Sequence, residues 1–547
     1  MKNTNTLLSI TNLKKYFPLA KSSIFSRQQL YVRANEEINI DIQNGETFGL
    51  VGESGCGKST LGRTILQLYD QTAGSTLYYG RTVDDFAPLY VAKTIKNANK
   101  LIKKQKAMQA KAEAFAAEVE AAGEGATFFQ HQNKNLAAAE AETAFQNIVK
   151  ILGGFYAVDD SAALSAMLHR FKVTVKLRDL NEQMRDMDAD IALYEAMAEE
   201  MRNDETVEKK DKKIASALKK AEAVRVKQNK LSISVKSVEK QLESATNAVD
   251  GFRAKYANNE EFAKYEEMRD DGIDLSRLKY TEMRILRKDI QIIFQDPYSS
   301  LNPRMTIGQI IGEGLTTHNF FKKRSPRMKS YILDVMDQCG LQGYMLHRYP
   351  HQFSGGQRQR ICIARALAVK PKFIVCDECV SALDVSIQSQ IINLLEELKE
   401  KENLTYLFIS HDLSVVRYIS DRIGVMYLGN MVELGTAEEI FADPRHPYTV
   451  ALLSSIPTTD PDSATKERII LEGNIPSPIR PPEGCKFHTR CYMACEKCTR
   501  VPPPYVEINP GHFVACHFLD KKIDENGNYL FNANTTAQEE KTETVGE

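Results

Sequence analysis

The segment from residue 52 to residue 60 constrains the fold more than any other feature of this sequence. It reads Gly52, Glu53, Ser54, Gly55, Cys56, Gly57, Lys58, Ser59 and Thr60, a complete match to G-x-x-x-x-G-K-[ST]. An apolar run, 47–51, precedes it, and a helix-compatible stretch, 61–68, follows it. This order of strand, glycine-rich loop and helix predicts a phosphate-binding loop in an α/β fold with a parallel sheet.

The residue types in this loop suit the phosphates of a nucleotide. Glycines let backbone N–H groups turn toward phosphate oxygens, and the helix N-terminus adds a favourable dipole. Lys58 is expected to neutralise the β- and γ-phosphates, and Ser59 to offer its hydroxyl to Mg²⁺. The alternative, a chance glycine-rich turn, is disfavoured by the complete match and its context.

Three later segments share one pattern, a short apolar run that ends in a polar residue. Residues 290–294 end at Gln295, 373–376 at the pair Asp377 and Glu378, and 406–410 at His411. Ligands bind at the carboxyl ends of parallel strands, so these side chains are predicted to face one nucleotide. Asp377 would hold Mg²⁺, and Glu378 would polarise the attacking water. His411 would contact the γ-phosphate, and Gln295 would bind and sense Mg²⁺.

A second phosphate-binding helix N-terminus is predicted at residues 353–360, FSGGQRQR. Ser354, Gly355, Gly356 and Gln357 stand just before a helical stretch, 358–368. A serine and two glycines at that position leave backbone N–H groups open to a phosphate. One chain does not easily aim two such ends at one phosphate, so this end is predicted to serve a partner's nucleotide.

These motifs resemble the ATPase subunits of ABC transporters, which share an α/β P-loop NTPase fold. The shared residues are the phosphate loop, Gln295, the FSGGQ signature, Asp377, Glu378, the loop from Ser381 to Asp384, and His411. FQDPYSSLNPRM, YPHQFSGGQRQR, SALDVSIQ, LTYLFISHDLSVVRYISDR and HPYTVALLSSIP are similar to the oligopeptide/dipeptide importers, and most to the second of their paired ATPase subunits. The resemblance covers residues 1–81 and about 282–520.

The resemblance implies a chain that hydrolyses ATP, with Mg²⁺, to power the uptake of oligopeptides or dipeptides. Two ATPase subunits would enclose two ATP molecules head to tail, with Ser354 and Gly356 on the partner's γ-phosphate. Asp384 is placed among the nucleotide-binding residues by the same likeness. Tyr16 is similar to the aromatic residue that stacks on adenine, and Phe17 is the alternative.

Other partners follow from the same resemblance. They are a second ATPase subunit, two transmembrane permease subunits and an extracytoplasmic peptide-binding protein, and they place the chain on the cytoplasmic face of the membrane. One departure is Cys379, where the family usually has proline after the catalytic glutamate. Glu378 itself is present, so hydrolysis is expected.

Residues 82–281 lie outside that pattern and are predicted to form an inserted all-α arm. None of the 19 prolines lies between Pro88 and Pro297, and from residue 155 to residue 250 there is neither Gly nor Pro. Ala, Glu and Lys dominate this block, so its helix propensity is high. Several long antiparallel helices are therefore expected.

A coiled-coil stripe within the arm is short. It consists of Leu231, Val235, Val238, Leu242 and Ala245, which cover two heptads. Two interpretations of the arm stay open: a tolerated surface insertion, or a docking or regulatory arm for the permease or for a partner of unknown identity. Deletion of residues 84–280 with a short linker distinguishes them.

Five of the ten cysteines lie close together near the C-terminus: Cys485, Cys491, Cys495, Cys498 and Cys516. In a reducing compartment this clustering predicts a metal site, and four thiolates suit either a [4Fe–4S] cluster or tetrahedral Zn²⁺. GCKFHTRC and GHFVACH resemble the C-terminal extension of peptide-importer ATPases. That likeness implies Cys485, Cys491, Cys498 and Cys516 as ligands of a structural iron–sulfur cluster. The CxxC spacing of Cys495 and Cys498 keeps the ligand set open, and free cysteines are the alternative.

Composition excludes several other classes of protein. Lys and Arg total 71 and Asp and Glu 72, which argues against a nucleic-acid-wrapping protein. No apolar run reaches the ~18 residues that span a bilayer, and the first ten residues lack the apolar core of a signal peptide. A cytoplasmic chain without its own membrane span is expected.

The predicted organisation is one ATPase interrupted once and extended once. Residues 1–81 and 282–440 form the ABC ATPase, with a helical signature subdomain at about 303–365, and 82–281 form the arm. Residues 441–524 form the cysteine-rich extension, and 525–547 a disordered tail. A competing function is a soluble ABC ATPase of DNA repair or chromosome handling. It is disfavoured because the arm precedes Gln295, contains no cysteine and accompanies a single cassette.

Overall fold

The computed structural model describes residues 5–20, 29–203, 210–321, 326–456 and 469–519, together with 522–523 and 529–530. The chain divides into two units. Unit 1 comprises Met1–Thr72 and Arg284–Glu547, and unit 2 comprises Ala73–Met283. Across the described residues, no helix combines the length and apolar character needed to cross a membrane.

The strands, in chain order, are β1 Thr6–Pro18, β2 Tyr31–Gln43, β3 Thr47–Val51, β4 Ala73–Tyr78, β5 Ile273–Asp274, β6 Ile290–Ile293, β7 Phe373–Asp377, β8 Thr405–Ile409, β9 Arg422–Tyr427, β10 Asn430–Thr436, β11 Val506–Asn509, β12 His512–Val514, β13 Lys522–Ile523 and β14 Tyr529–Leu530. The helices are α1 Lys58–Ile65, α2 Val83–Phe86, α3 Leu89–Lys96, α4 Ala98–Ala122, α5 Phe128–Leu152, α6 Ser161–Asn203, α7 Lys210–Lys255, α8 Glu260–Glu266, α9 Tyr280–Leu286, α10 Pro297–Ser300, α11 Ile307–Thr317, α12 Pro326–Gln338, α13 Gly355–Leu367, α14 Val385–Glu402, α15 Leu413–Ile419, α16 Ala437–Ala442, α17 Pro447–Ser454 and α18 Glu496–Arg500.

An eight-stranded sheet organises unit 1, with the order β11-β12-β10-β9-β3-β8-β7-β6. The neighbours from β9 to β6 are all parallel. Every residue of β3, β7 and β8 is buried, as expected for strands covered on both faces. The short apolar runs of the sequence are therefore central strands, and their carboxyl ends lie along one edge of the sheet.

The helical part of unit 1 follows β6 along the chain. α11, α12 and α13 contribute Ile311, Met336 and Ile361, each buried, to the same apolar core as the sheet. α13 begins with a capping box, in which Ser354 and Gln357 satisfy each other's backbone N–H groups. The signature segment is therefore fixed at the first turn of a well-packed helix.

Unit 2 is mostly helical. α6 and α7 have 43 and 46 residues, and they are antiparallel because Arg170 contacts Thr246 while Asp188 contacts Gln228. α4 and α5 form a shorter pair around buried Ala112, Ala137 and Ala141. The predicted stripe lies on α7, where Val238 and Ala245 are buried. The absence of Pro, and of Gly before residue 251, allows these lengths, and the small apolar faces let the helices approach closely.

The C-terminal segment of unit 1 contains two short antiparallel strand pairs. β11 and β12 form a hairpin, and β12 also pairs with β10. Most of the predicted disordered tail, 525–547, lies outside the described residues. Tyr529–Leu530 within it pairs antiparallel with Lys522–Ile523.

Candidate functional site

The phosphate loop lies between β3 and α1, as its motif predicts. Gly52 and Gly57 have φ values of 145° and 105°, and a Cβ on either would lie 2.2 Å from a backbone oxygen. Only glycine therefore fits at these two positions. The Lys58 ammonium is buried and donates to the carbonyls of Gly52 and Glu53 at 2.7 and 3.0 Å. Lys58 is therefore held by hydrogen bonds to the backbone of its own loop.

The remaining loop residues divide by exposure. Ser54 and Gly55 are exposed, whereas Ser59 and Thr60 in the first turn of α1 are half-buried. Cys56 is buried, and burial raises the pKa of its thiol. The exposed residues and the N-terminal turn of α1 therefore form the part of the loop that is open to a ligand.

The ends of β6, β7 and β8 meet at one place, as predicted. The Gln295 amide donates to Glu378 Oε2 at 2.7 Å, and His411 Nδ1 lies 3.6 Å from that same oxygen. The Glu378 side chain is 16% exposed, while that of His411 is 57% exposed. Gln295 and His411, which are far apart in sequence, thus converge on the carboxylate of Glu378.

Glu378 has an unusual backbone conformation. Its φ is 49°, in the left-handed region that is uncommon for residues other than glycine. The conformation is held because its N–H donates to the Ile409 carbonyl at 3.0 Å and its own carbonyl accepts the Ser381 hydroxyl at 2.9 Å. Such strain persists only where the surroundings determine it, and it concentrates at functional sites.

Asp377 is the carboxylate best placed for a cation. Its side chain is 1% exposed, and Oδ2 accepts a hydrogen bond from Arg63 at 3.1 Å. Oδ1 is buried and has no hydrogen-bond partner among the residues that the structure describes. Mg²⁺ prefers oxygen ligands, so Asp377 together with the Ser59 hydroxyl fits a magnesium site. Arg63, one turn beyond Lys58, was not predicted from the sequence.

The other predicted nucleotide contacts lie at helix N-termini. Ser354 is exposed at the start of α13, and Gly356 packs where a Cβ would lie 2.4 Å from Ile387. Asp384 caps α14, since Oδ1 accepts the Ile387 N–H at 3.0 Å. The first turn of α13 therefore presents backbone N–H groups to solvent, which suits a phosphate supplied from outside the chain.

The position of Tyr16 does not suit adenine stacking. Tyr16 is 4% exposed, and its hydroxyl donates to the Glu36 carboxylate at 2.5 Å, where Lys14 also binds at 2.7 Å. Burial is the main cause of a raised pKa for Tyr16. Its ring is committed to this buried network, so the predicted role is corrected. Phe17 is half-buried and edge-on to Tyr69 at 5.4 Å, and it remains the candidate.

The predicted metal cluster finds no support in the geometry. Cys495 Sγ and Cys498 Sγ are 3.6 Å apart, and the Cys485 N–H donates to the Cys498 carbonyl at 2.8 Å. No group of three or more His, Cys, Asp or Glu side chains within the described ranges is arranged to hold a metal ion. Cys491 instead packs beside the apolar core.

The C-terminal segment reaches the phosphate loop, which the sequence did not predict. Arg490 donates to both carboxylate oxygens of Glu53, at 2.6 and 3.0 Å. The Glu53 N–H donates to the Tyr448 hydroxyl at 2.8 Å. No local pattern could have revealed these contacts, because the partners lie about four hundred residues apart.

Comparison with known families agrees with this geometry. The model of the ABC transporter family matches residues 35–242 and 254–381. The model of the oligopeptide/dipeptide transporter C-terminal region matches residues 432–498.

Curated relatives give the same assignment. The oligopeptide transport ATP-binding protein AppF of Bacillus subtilis is 56% identical over 248 residues, which cover 45% of this chain and 75% of that protein. OppF of Haemophilus influenzae, also an oligopeptide transport ATP-binding protein, is 51% identical over 246 residues, or 45% of this chain and 74% of that protein. A solved dimeric bacterial ABC transporter cassette, MJ0796, aligns with 79% of this chain and 99% of its own at 15% identity, with a TM-score of 0.39 that is too low to add to the assignment. The chain belongs to the ABC transporter family, as an ATP-binding and ATP-hydrolysing subunit of the oligopeptide/dipeptide branch.

Proposed function

We propose that this chain powers the uptake of oligopeptides or dipeptides as one of two ATPase subunits of a membrane importer. The observation that carries the proposal is the convergence of Gln295 and His411 on Glu378 at the edge of the sheet that also holds the phosphate loop. The names of the relatives, which refer to oligopeptide transport, support the class of substrate.

The residues have distinct roles in this proposal. The backbone of the phosphate loop and Lys58 bind the phosphates of ATP, and Asp377 with Ser59 holds Mg²⁺, which neutralises phosphate charge when bound. Glu378 orients and polarises the attacking water, while Gln295 and His411 hold its carboxylate in place. Phe17 is the proposed contact for adenine. Ser354 and Gly356 serve the nucleotide held by the second ATPase subunit.

The partners are tested by purification and transport. Affinity purification of this chain from membranes is expected to recover a second ATPase subunit and two multispanning permeases. Proteoliposomes containing that complex should import a labelled peptide, handed over by the extracytoplasmic binding protein, only when ATP is present. Recovery of the chain with bound DNA and without permease subunits would contradict the proposal and favour the soluble DNA-repair alternative.

The metal cluster remains a hypothesis from the sequence. It is supported by the resemblance of GCKFHTRC and GHFVACH to the extensions of peptide-importer ATPases. Anaerobically purified protein would show a brown absorbance shoulder and bound iron if the cluster forms. A colourless protein with stoichiometric zinc would show that the metal is zinc and not iron. A metal-free protein would refute both assignments.

A further inference from the structure

The contact between the C-terminal segment and the phosphate loop has the geometry of a built interaction. Arg490 ends a short turn, His488–Arg490, that lies between Cys485 and Cys491. Its side chain is 6% exposed, and it grips the Glu53 carboxylate with two parallel hydrogen bonds. Bidentate pairs of this kind, when removed from solvent, are stronger and more directional than ordinary surface ion pairs.

Aromatic packing fixes Arg490 in place. Its N–H donates to the carbonyl of Phe487, which is fully buried. The Phe487 ring packs on Tyr427 and Tyr448, with centroids 5.1 and 5.3 Å apart. Tyr448 in turn accepts the Glu53 N–H. An arginine guanidinium stays charged throughout the pH range in which proteins work, so the pair with Glu53 is a permanent ion pair.

Glu53 lies where a free negative charge would harm nucleotide binding. It follows Gly52 in the phosphate loop, and its carbonyl accepts from the Lys58 ammonium. An uncompensated carboxylate here would repel the phosphates that the loop is built to bind. Arg490 neutralises that carboxylate and holds the Glu53 side chain in one orientation.

We propose that Arg490 is a positioning residue of the nucleotide site, which neutralises and orients Glu53 and so couples the cysteine-rich segment to the affinity for ATP. The proposal rests on the ATP-binding function of the same loop. The effect of Arg490 on nucleotide affinity should be larger for ATP than for ADP, because the repulsion from Glu53 increases with the number of phosphate charges near its carboxylate.

Binding of fluorescent ATP and ADP analogues to the full chain tests this proposal. Arg490→Ala is expected to weaken ATP binding about tenfold and ADP binding less, since a local charge change of this size corresponds to about one pKd unit. Arg490→Lys keeps the charge and should recover most of the affinity. The double variant Glu53→Gln with Arg490→Ala should bind ATP within about twofold of the wild type, because removal of both partners removes the repulsion.

Arg500→Ala is the matched control. Arg500 lies in the same segment, but it forms an exposed ion pair with Glu496, so its loss should leave ATP affinity unchanged. The proposal is overturned if Arg490→Ala binds ATP like the wild type, or if the double variant is as weak as Arg490→Ala. Should Arg490→Ala fail to fold, Glu53→Gln alone decides, since it must bind ATP at least as tightly as the wild type. A wild-type chain that binds no nucleotide would instead refute the proposed function.

Discussion

The catalytic edge of unit 1 and the network around Arg277 in unit 2 differ in how their charged groups are paired. At the catalytic edge of unit 1, Asp377 keeps one buried oxygen without a partner among the described residues, and Glu378 is held in a left-handed conformation. In unit 2, Arg277 is half-buried and paired, with hydrogen bonds of 2.7 Å to the Asn147 carbonyl and the Thr94 hydroxyl. An unpaired carboxylate oxygen and a strained backbone therefore mark the catalytic site, whereas a charged group with hydrogen-bond partners marks a structural network.

The largest effect is expected at Glu378. Glu378→Gln keeps the shape and the contact with Gln295 but removes the carboxylate, so hydrolysis should fall about 10³-fold, or about 4 kcal/mol in barrier. Binding of the fluorescent ATP analogue should be retained. Phosphate release by the assembled transporter measures the first quantity, and undiminished release would refute the assignment of Glu378.

The second effect belongs to unit 2. Arg277→Met removes the hydrogen bonds to the Asn147 carbonyl and to the Thr94 hydroxyl, which keeps its own bond to the Tyr90 carbonyl. It also takes the guanidinium away from the Tyr90 ring, whose centroid lies 4.4 Å from it. The free energy of unfolding of unit 2 should fall by about 2 kcal/mol. ATP affinity should not change. A loss of ATP affinity would contradict the assignment of Arg277 to a purely structural network. Urea unfolding followed by circular dichroism measures the stability.

Arg225→Met is the control for that experiment. Arg225 pairs with Glu195 near the surface, where both side chains are more than 40% exposed. Its loss should change the stability by less than about 0.5 kcal/mol. An equal effect of the two substitutions would show that the buried network around Arg277 has no special importance.

Sequence patterns predicted the parts of this molecule that depend on local order. The glycine-rich loop, the short apolar strands with polar ends and the long helices each follow from residues adjacent in the chain. Gln295, Glu378 and His411 could be grouped in advance because parallel strands place their carboxyl ends together.

Contacts between distant segments could not be predicted in this way. The burial of Tyr16 depends on Lys14 and Glu36 meeting across β1 and β2, and the contact of Arg490 with Glu53 depends on how the C-terminal segment folds back. A KKYF run and an HTRC run carry no sign of either arrangement. The role assigned to Tyr16 failed for this reason.

A smaller effect should appear as a dependence of stability on pH. Lys486 is half-buried and bonds to Asn430, and desolvation lowers its pKa to about 8. Between about pH 8 and the ordinary lysine pKa, the unfolded chain binds more protons than the folded chain, so stability rises with pH. The slope contributed by Lys486 is at most about 1.4 kcal/mol per pH unit.

The difference between the wild type and Lys486→Met isolates that contribution. The two proteins share every other titrating group, so the Tm of the wild type should increase relative to that of the variant between pH 8 and 9.5. Below pH 7.5 the difference should be constant. A difference that does not change across the whole range would refute the assigned pKa.

The central claim is that unit 1 supplies all the residues that this chain contributes to ATP binding and hydrolysis. Replacement of residues 84–280 by a short linker tests it most directly, with ATP-analogue affinity and phosphate release measured beside the full-length chain. Independent sites change each other by about twofold or less, so both quantities should stay within that factor, and Glu378→Gln should still abolish release. A folded deletion variant that fails to bind or hydrolyse ATP would contradict the account.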